Sequence, residues 1–572
     1  MESPYQFSPL RTRGAIRLLE LSSGDFSHPE IHINLINTNL RALGSEFEAL
    51  SYVWGSETLD ELVFCGASRS RLYITANCHS ALRRLRYRDK PRMLWVDSIC
   101  INQSDIPERN EQVKIMGRIF AAARRTVVYL GESDRGSDLL FQHLTRTETL
   151  RAIDDLLIPA PPRAIVDQLS DLLNRPWFTR IWVVQEVFNS KRTVFLCGEN
   201  EASKSVVRDC LYGHGNCTRV IFEFAPPIDI CDPHSRSLLE DCTNAAQEMY
   251  ILTAMTVQSE SNDPRDRILA LTPLVKFQEL RLTRLIDYGE DVDTLFEKFS
   301  LFLMSSVKLL LLFMIRHPHS RNLPSWVPDW NHNIPLSRKF WVMPDYFIAV
   351  NKYNACSDFT LGQVCQLLLD KTQSRRTLTV KGMRYGRINE IGPIIGASRK
   401  FSPERENTVH ELITTLDYLR LGGTLDPWPD SIRAALKGVT RDDIFTLLAD
   451  GGHSVEQPMR AVINEELTWL ITSNCENSVI VVTDDQKLAV GPRESQKGDI
   501  LCLIKGALDP CILREVSDGC WKIISGHCTI LDFRKAYKRR ALELLRQGQD
   551  EPSTIEFILE SIPEHAEEFC IY

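Results

Sequence analysis

No two of the sixteen cysteines stand as C-x-x-C, and no H-E-x-x-H accompanies them. Zinc ribbons, redox dithiols and zincin sites therefore lack their signatures, and no metal is expected. G-x-x-x-x-G-K-[ST], a G-x-G-x-x-G after a strand and G-x-S-x-G are also absent, which removes phosphate-cradling glycine loops and an elbow serine. Basic residues are not in excess: Lys+Arg 67 against Asp+Glu 75 gives a net charge of -8, so no broad nucleic-acid surface is expected. The longest apolar run, FSLFLMSSVKLLLLFMI from Phe299 to Ile315, is marginally short and carries Lys308 at its centre. It reads as a buried helix running into a buried strand, with no membrane span. The opening MESPYQFSPLRTRG has an acid at position 2 and two prolines, unlike a secretory signal. Reduced, mostly buried thiols and a cytoplasmic location are the matching expectations. His317-Pro318-His319 has no third ligand nearby and reads as a loop.

What is present is the composition of an ordinary folded soluble protein, 43% apolar and 25% charged. At 572 residues the chain is too long for one core. Between Phe47 and Gly198 short apolar runs alternate with amphipathic helices. FEALSYVWG, RMLWVDSICI, TVVYLG and TVFLCG read as buried strands, whereas ANCHSALRRLRYR and EQVKIMGRIFAAARR are helical, with Val113, Met116, Phe120 and Ala123 on one stripe. Alternation of this kind predicts a parallel α/β sheet flanked by helices, with its site at the carboxyl ends of the strands. Asp105 and Glu108 have capping-box spacing, with Pro107 in the first turn, so a helix should start just after the strand ending near Ile101.

Beyond residue 200 the pattern turns mostly helical, then breaks at LPSWVPDW, Leu323 to Trp330. RTLTVKGMRYGRINEIGPI and SVIVVTDDQKLAVGPRESQKGDILCLIKGALDPCILREV follow as short strands of a smaller β-rich domain with helical insertions. RKAYKRRALELLRQ predicts a solvated helix before an acidic tail. The expected division is an extension over 1–40, an α/β domain over 41–200, a helical region over 201–322, the β-rich domain over 323–535 and the terminal helix and tail over 536–572.

ALSYVWG (Ala49 to Gly55), WVDSICINQSDIPERNEQV (Trp95 to Val113) and RPWFTRIWVVQEV (Arg175 to Val187) together closely resemble the fungal heterokaryon incompatibility (HET) domain. DPRDRILAL (Asp263 to Leu271), LPSWVPDW and the pattern Gly498, Asp499, Gly506, Pro510, Leu513 and Arg514 extend the resemblance over most of the chain. Ser98 replaces the family's usual alanine, Thr272-Pro273 its usual Leu-Gly, and SGHCTILDF stands for its closing glycine-rich motif. The resemblance implies an effector of nonself recognition and regulated cell death, working by self-association or with other incompatibility proteins.

HET domains are in turn similar to Toll/interleukin-1 receptor (TIR) domains, which implies a TIR-like, flavodoxin-like fold. Several TIR domains cleave NAD, and those enzymes carry a glutamate four residues after a tryptophan on a helix. Trp182 and Glu186 have that spacing, which would put Phe178, Trp182 and Glu186 on one stripe while Ile181, Val184 and Phe188 face the sheet. Glu186 is thereby the candidate catalytic carboxylate, able to stabilise an oxocarbenium-like transition state beside an aromatic wall. Ser51, Tyr52 and Trp54 would line a nucleotide slot, Asp97 would orient a ribose hydroxyl and Arg109 would meet a phosphate. NAD enters this reading as substrate, with no permanently bound cofactor. Simpler roles stand beside each: a surface ion pair for Glu186, a cap for Asp97, pairing of Arg109 with Glu108 or Glu111, core packing for Trp54, Trp95 and Trp177, and a loop-carbonyl contact for Gln185. The alternative function is a non-enzymatic adaptor acting by self-association.

Overall fold

The computed structural model describes residues 3–25, 30–42, 46–56, 58–153, 162–212, 233–257, 259–277, 287–315, 321–331, 377–395, 478–517, 519–547, 549, 554–563 and 566–571. The chain divides into two compact units, one of Met1–Ser237 with Gln258–Gly289 and one of Leu238–Val257 with Glu290–Tyr572.

In the first unit nine strands form one sheet: β1 (Ala15–Leu21), β2 (His32–Asn39), β3 (Glu48–Tyr52), β4 (Glu61–Cys65), β5 (Ser70–Ile74), β6 (Arg92–Trp95), β7 (Thr126–Tyr129), β8 (Thr193–Cys197) and β9 (Asn200–Ser203). Their order is β5-β4-β2-β1-β6-β3-β7-β8-β9. The central run β6-β3-β7-β8 is parallel, as the alternating pattern predicts. The flanks are not purely parallel, because β1–β2, β4–β5 and β8–β9 pair antiparallel and β1 meets β6 antiparallel. Connection length explains the hairpin pairs. Short turns can join only antiparallel neighbours, whereas the parallel β7–β8 pair is spanned by a long helical crossover. Gly198 closes the β8–β9 turn at φ +56°, a conformation that glycine takes without steric cost. The residues before position 41 supply two of these strands, β1 and β2.

The helices are α1 (Ala76–Leu85), α2 (Asp97–Cys100), α3 (Ile106–Ala122), α4 (Arg135–Ile153), α5 (Arg163–Leu173), α6 (Trp182–Phe188) and α7 (Lys204–Tyr212). Val113, Met116, Phe120 and Ala123 are all buried, so the predicted stripe is the inner face of α3. Where the sequence reads a strand through Ile101, β6 stops at Trp95 and the chain coils into α2. The Val96 carbonyl accepts from the amides of Ile99 and Cys100 at 3.1 and 2.7 Å, and Asp97 Oδ1 accepts from Ser98 N at 2.8 Å, which bends the chain out of the sheet. Asp105 caps α3 through the Glu108 amide, as its spacing predicts. Glu108 does not return to the cap. It bonds the Asn102 amide at 2.7 Å and pairs with Arg17 of β1, a guanidinium with no solvent exposure that draws the carboxylate inward.

In the second unit the described strands are β10 (Leu378–Ile395), β11 (Ser478–Thr483), β12 (Leu488–Pro492), β13 (Ile500–Ile504), β14 (Cys511–Ser517), β15 (Cys520–Ser525), β16 (Thr529–Ile530) and β17 (Glu567–Ile571). They form one sheet in the order β13-β14-β15-β17-β10-β11-β12-β16. Arg514 grips the buried Asp499 carboxylate with two bonds of 2.7 and 2.9 Å, so this part of the Gly-Asp to Leu-Arg pattern is a structural clamp. Phe299 to Ile315 does not run from helix into strand. The helix Val292–Val307 breaks at Lys308, whose φ is 55°, and continues as the tight turn Lys308–Met314. No helix among the described residues is long and apolar enough to cross a membrane. The helix Leu531–Arg546 is not solvated all round, because Phe533, Arg534 and Tyr537 are buried on one face. His317 to His319 and the expected helical insertions over 396–477 lie outside the described residues.

Candidate functional site

Parallel strands present their free backbone ends at one edge, and here that edge carries buried carboxylates. β3 delivers Ser51 and Tyr52 to its carboxyl end, both buried, and β6 leads through Val96 to Asp97, which is half-buried. A short 3-10 turn, Pro176–Thr179, then seats Trp177 with no exposure. Trp177 Nε1 donates to Ser51 Oγ at 2.8 Å, fixing the turn to the strand. The chain next enters α6, where Glu186 is only 5% exposed and receives a hydrogen bond from the Ser51 hydroxyl. Its other oxygen, Oε2, is buried and has no hydrogen-bond partner. Both polar atoms of the neighbouring Gln185 side chain are in the same condition, so Gln185 holds no loop carbonyl.

Asp97 lies near enough to Glu186 for the two charges to repel. Burial pushes Glu186 up to about 7, the Arg180 charge and the Ser51 bond oppose that rise, and Asp97 adds to it. Burial also raises Asp97, against Arg180, a 2.9 Å hydrogen bond from Trp54 Nε1 and the Ser98 amide. Arg180 bonds the Tyr52 carbonyl, so it is a fixed cation serving both carboxylates. The Tyr52 hydroxyl shares a 2.6 Å hydrogen bond with Ser98 Oγ.

Trp182 packs partly buried against the core, and its indole N–H bonds Asp266 rather than pointing to Glu186. The predicted single stripe also breaks at Phe178, which lies in the 3-10 turn and stacks on Phe195 at 5.9 Å. The Arg180 and Ile181 backbone, between turn and helix, resets the helical phase. Ile181 and Val184 are buried as predicted, while Phe188 is half-buried.

Arg109 pairs with neither Glu108 nor Glu111. Its guanidinium lies 5.1 Å from the centre of the Tyr288 ring, beside a second polar cluster. There Tyr288 donates to Asp266 at 2.5 Å, and Arg265 grips Asp263 with bonds of 2.7 to 3.1 Å. Burial raises Asp266 to about 6, against the bonds from Tyr288 and Trp182. The structure thus brings Ser51, Tyr52, Trp54, Asp97 and Glu186 together and sets Arg109 apart with the DPRD segment. Trp95 and Trp177 are fully buried, whereas Trp54 is partly exposed and polar-bonded. Sequence reasoning missed Arg180 and Asp266; DPRD was visible as a motif, but nothing local tied it to Trp182. Among the described residues no cluster of three or more His, Cys, Asp or Glu side chains could hold a metal ion.

The first unit is therefore a mixed-sheet α/β domain whose carboxylates gather at the carboxyl ends of parallel strands. Residues 47–186, from just before β3 to Glu186 itself, match the family model described as "Heterokaryon incompatibility protein (HET)". The chain is also similar to "Heterokaryon incompatibility protein 6, OR allele" of Neurospora crassa, 28% identical over 234 residues, 34% of either chain. It thus matches about a third of the length of that curated relative. No solved structure matches the chain.

Proposed function

We propose that this chain acts in heterokaryon incompatibility, as an effector of nonself recognition and regulated cell death, with its HET domain as the working part. The match over residues 47–186 and the similarity to a protein of that name support the role. For the mechanism we propose a TIR-like domain that cleaves NAD, with Glu186 as its carboxylate. One observation carries this: a buried glutamate at the strand ends, held up to about 7, with one oxygen left without a partner. Such a carboxyl exchanges a proton near neutrality, and buried polar atoms without partners concentrate at sites that await a ligand. In this reading Glu186 receives the developing charge of the ribose, Asp97 and Arg180 hold its surroundings, and the tryptophans exclude water.

The adaptor reading rests on a different observation. Glu186 is 5% exposed and already bonded by Ser51, so the described arrangement is closed around the carboxylate. A closed carboxylate suits a domain that acts by assembling with copies of itself or with partners. Incubation of the full chain with NAD, alone and under forced oligomerisation, separates the two. Cleavage requires release of free nicotinamide that Glu186→Gln abolishes while the far-ultraviolet spectrum stays unchanged. Absence of nicotinamide under both conditions, with toxicity retained in the Gln variant, discards the enzyme and leaves the adaptor.

A further inference from the structure

Parallel strands in register place paired side chains on the same face. β15 and β17 run parallel with Cys520 opposite Cys570 and Trp521 opposite Ile571. Among the described cysteines, those two are half-buried and the others are buried. The Cys520 thiol lies near enough to Cys570 to raise it. Adjacent strands lie about 4.8 Å apart, within the roughly 4.4–6.8 Å between Cα atoms that a disulfide spans.

We propose that Cys520 and Cys570 form a redox modification site, a vicinal thiol pair that glutathione disulfide converts to an intramolecular disulfide. The exchange balances without a further oxidant. One protein thiolate, having lost its proton to water, attacks glutathione disulfide and expels a glutathione thiolate. The second protein thiolate then attacks the protein-bound sulfur of the mixed disulfide and expels the other glutathione thiolate. The protein sulfurs lose two electrons, the glutathione sulfurs gain them, and the two protons end on the released thiols. Burial and the neighbouring Cys520 raise the Cys570 thiol, so the exchange quickens as pH rises. The link would staple the last described strand to β15, while β17 stays paired with β10 along its other edge.

The same sheet contains its own control. Cys502 and Cys511 are register partners across β13 and β14, yet both have no solvent exposure. Proximity is common to both pairs and access is not, so only the half-buried pair should react.

The test treats the folded full chain with glutathione disulfide, alkylates the remaining thiols after unfolding, and maps the peptides by mass spectrometry. The expected product joins Cys520 to Cys570, is lighter by two hydrogen atoms, disappears with dithiothreitol, and leaves Cys502 and Cys511 alkylated. In Cys520→Ser the link must vanish, with Cys570 found as a glutathione adduct or an alkylated thiol. Adducts on both cysteines of the wild-type chain without a link between them, or no reaction at either, would overturn the site. The wild-type map decides the matter even if the serine variant fails to fold.

Discussion

The two ends of strand β3 treat a buried glutamate in opposite ways. At the amino end, Glu48 is 1% exposed and sits in a cage of three arginines: Arg92 at 2.5 Å, Arg125 at 2.6 Å and Arg124 at 2.8 Å. Burial alone would raise its pKa, but the Arg92 charge and the three sets of hydrogen bonds win and bring it to about 2. At the carboxyl end, Glu186 is 5% exposed, bonded by one hydroxyl and attended by an arginine that bonds a backbone carbonyl instead. There burial wins and the carboxyl rises to about 7. Two buried glutamates thus give one group that is ionised across the working pH range and one that titrates within it. Fixed charge belongs to structure, and a movable proton is what chemistry needs.

The largest effect should come from breaking the cage. Glu48→Gln keeps the shape but removes the charge that compensates Arg92, whose side chain is 8% exposed. Removing one partner of a buried ion pair costs about 3–5 kcal/mol. Urea unfolding at neutral pH should register a loss of this size, because only the more exposed Arg124 can turn freely to water. A loss below about 1 kcal/mol would mean the cage is no more than a surface pair.

The next effect is smaller and opposite in pH. Glu48 is lowered from 4.5 to about 2, so its contribution is present above about 4.5 and is lost as pH falls through 2. Glu186 is raised from 4.5 to about 7, so the folded state holds the extra proton between those values. Its contribution is full below about 4.5 and is lost as pH rises to about 7, of order 3 kcal/mol. Unfolding free energies measured from pH 4.5 to 8 should therefore decline in the wild type by more than in Glu186→Gln. Identical slopes in the two proteins would show that the carboxylate ionises freely and that the two ends of β3 do not differ.

This contrast marks how far the sequence could be read. The α/β alternation, the α3 stripe and the Asp105 cap were legible because each depends on neighbours in the chain. The mixed edges of the sheet were not, since antiparallel pairing by β1 and β2 depends on which strand finds β6. Ser51, Asp97 and Glu186 were legible as candidates through the motifs that carry them. What they do electrostatically was not, because it is set by Arg180 and by burial, and burial is a property of the packed whole. The same limit hid Arg17, which redirects Glu108 from the cap expected of it across 91 positions of chain. Trp182 was read as a wall for Glu186, but Asp266 takes its N–H from another segment.

The finest test of the comparison is at Ser51, which joins strand to helix at the carboxyl end. Ser51→Ala deprives the fully buried Trp177 N–H of its acceptor, a loss of about 1–3 kcal/mol at pH 5. It also withdraws the hydrogen bond that favours the ionised form of Glu186, so that carboxyl should rise further and its protonated form persist to higher pH. The decline of stability with pH should then extend beyond neutrality instead of levelling near 7. Unfolding measured at pH 5, 7 and 9 separates the two parts. A uniform loss at all three values would assign Ser51 to Trp177 alone, whereas a loss that grows between pH 7 and 9 ties the hydroxyl to the proton on Glu186.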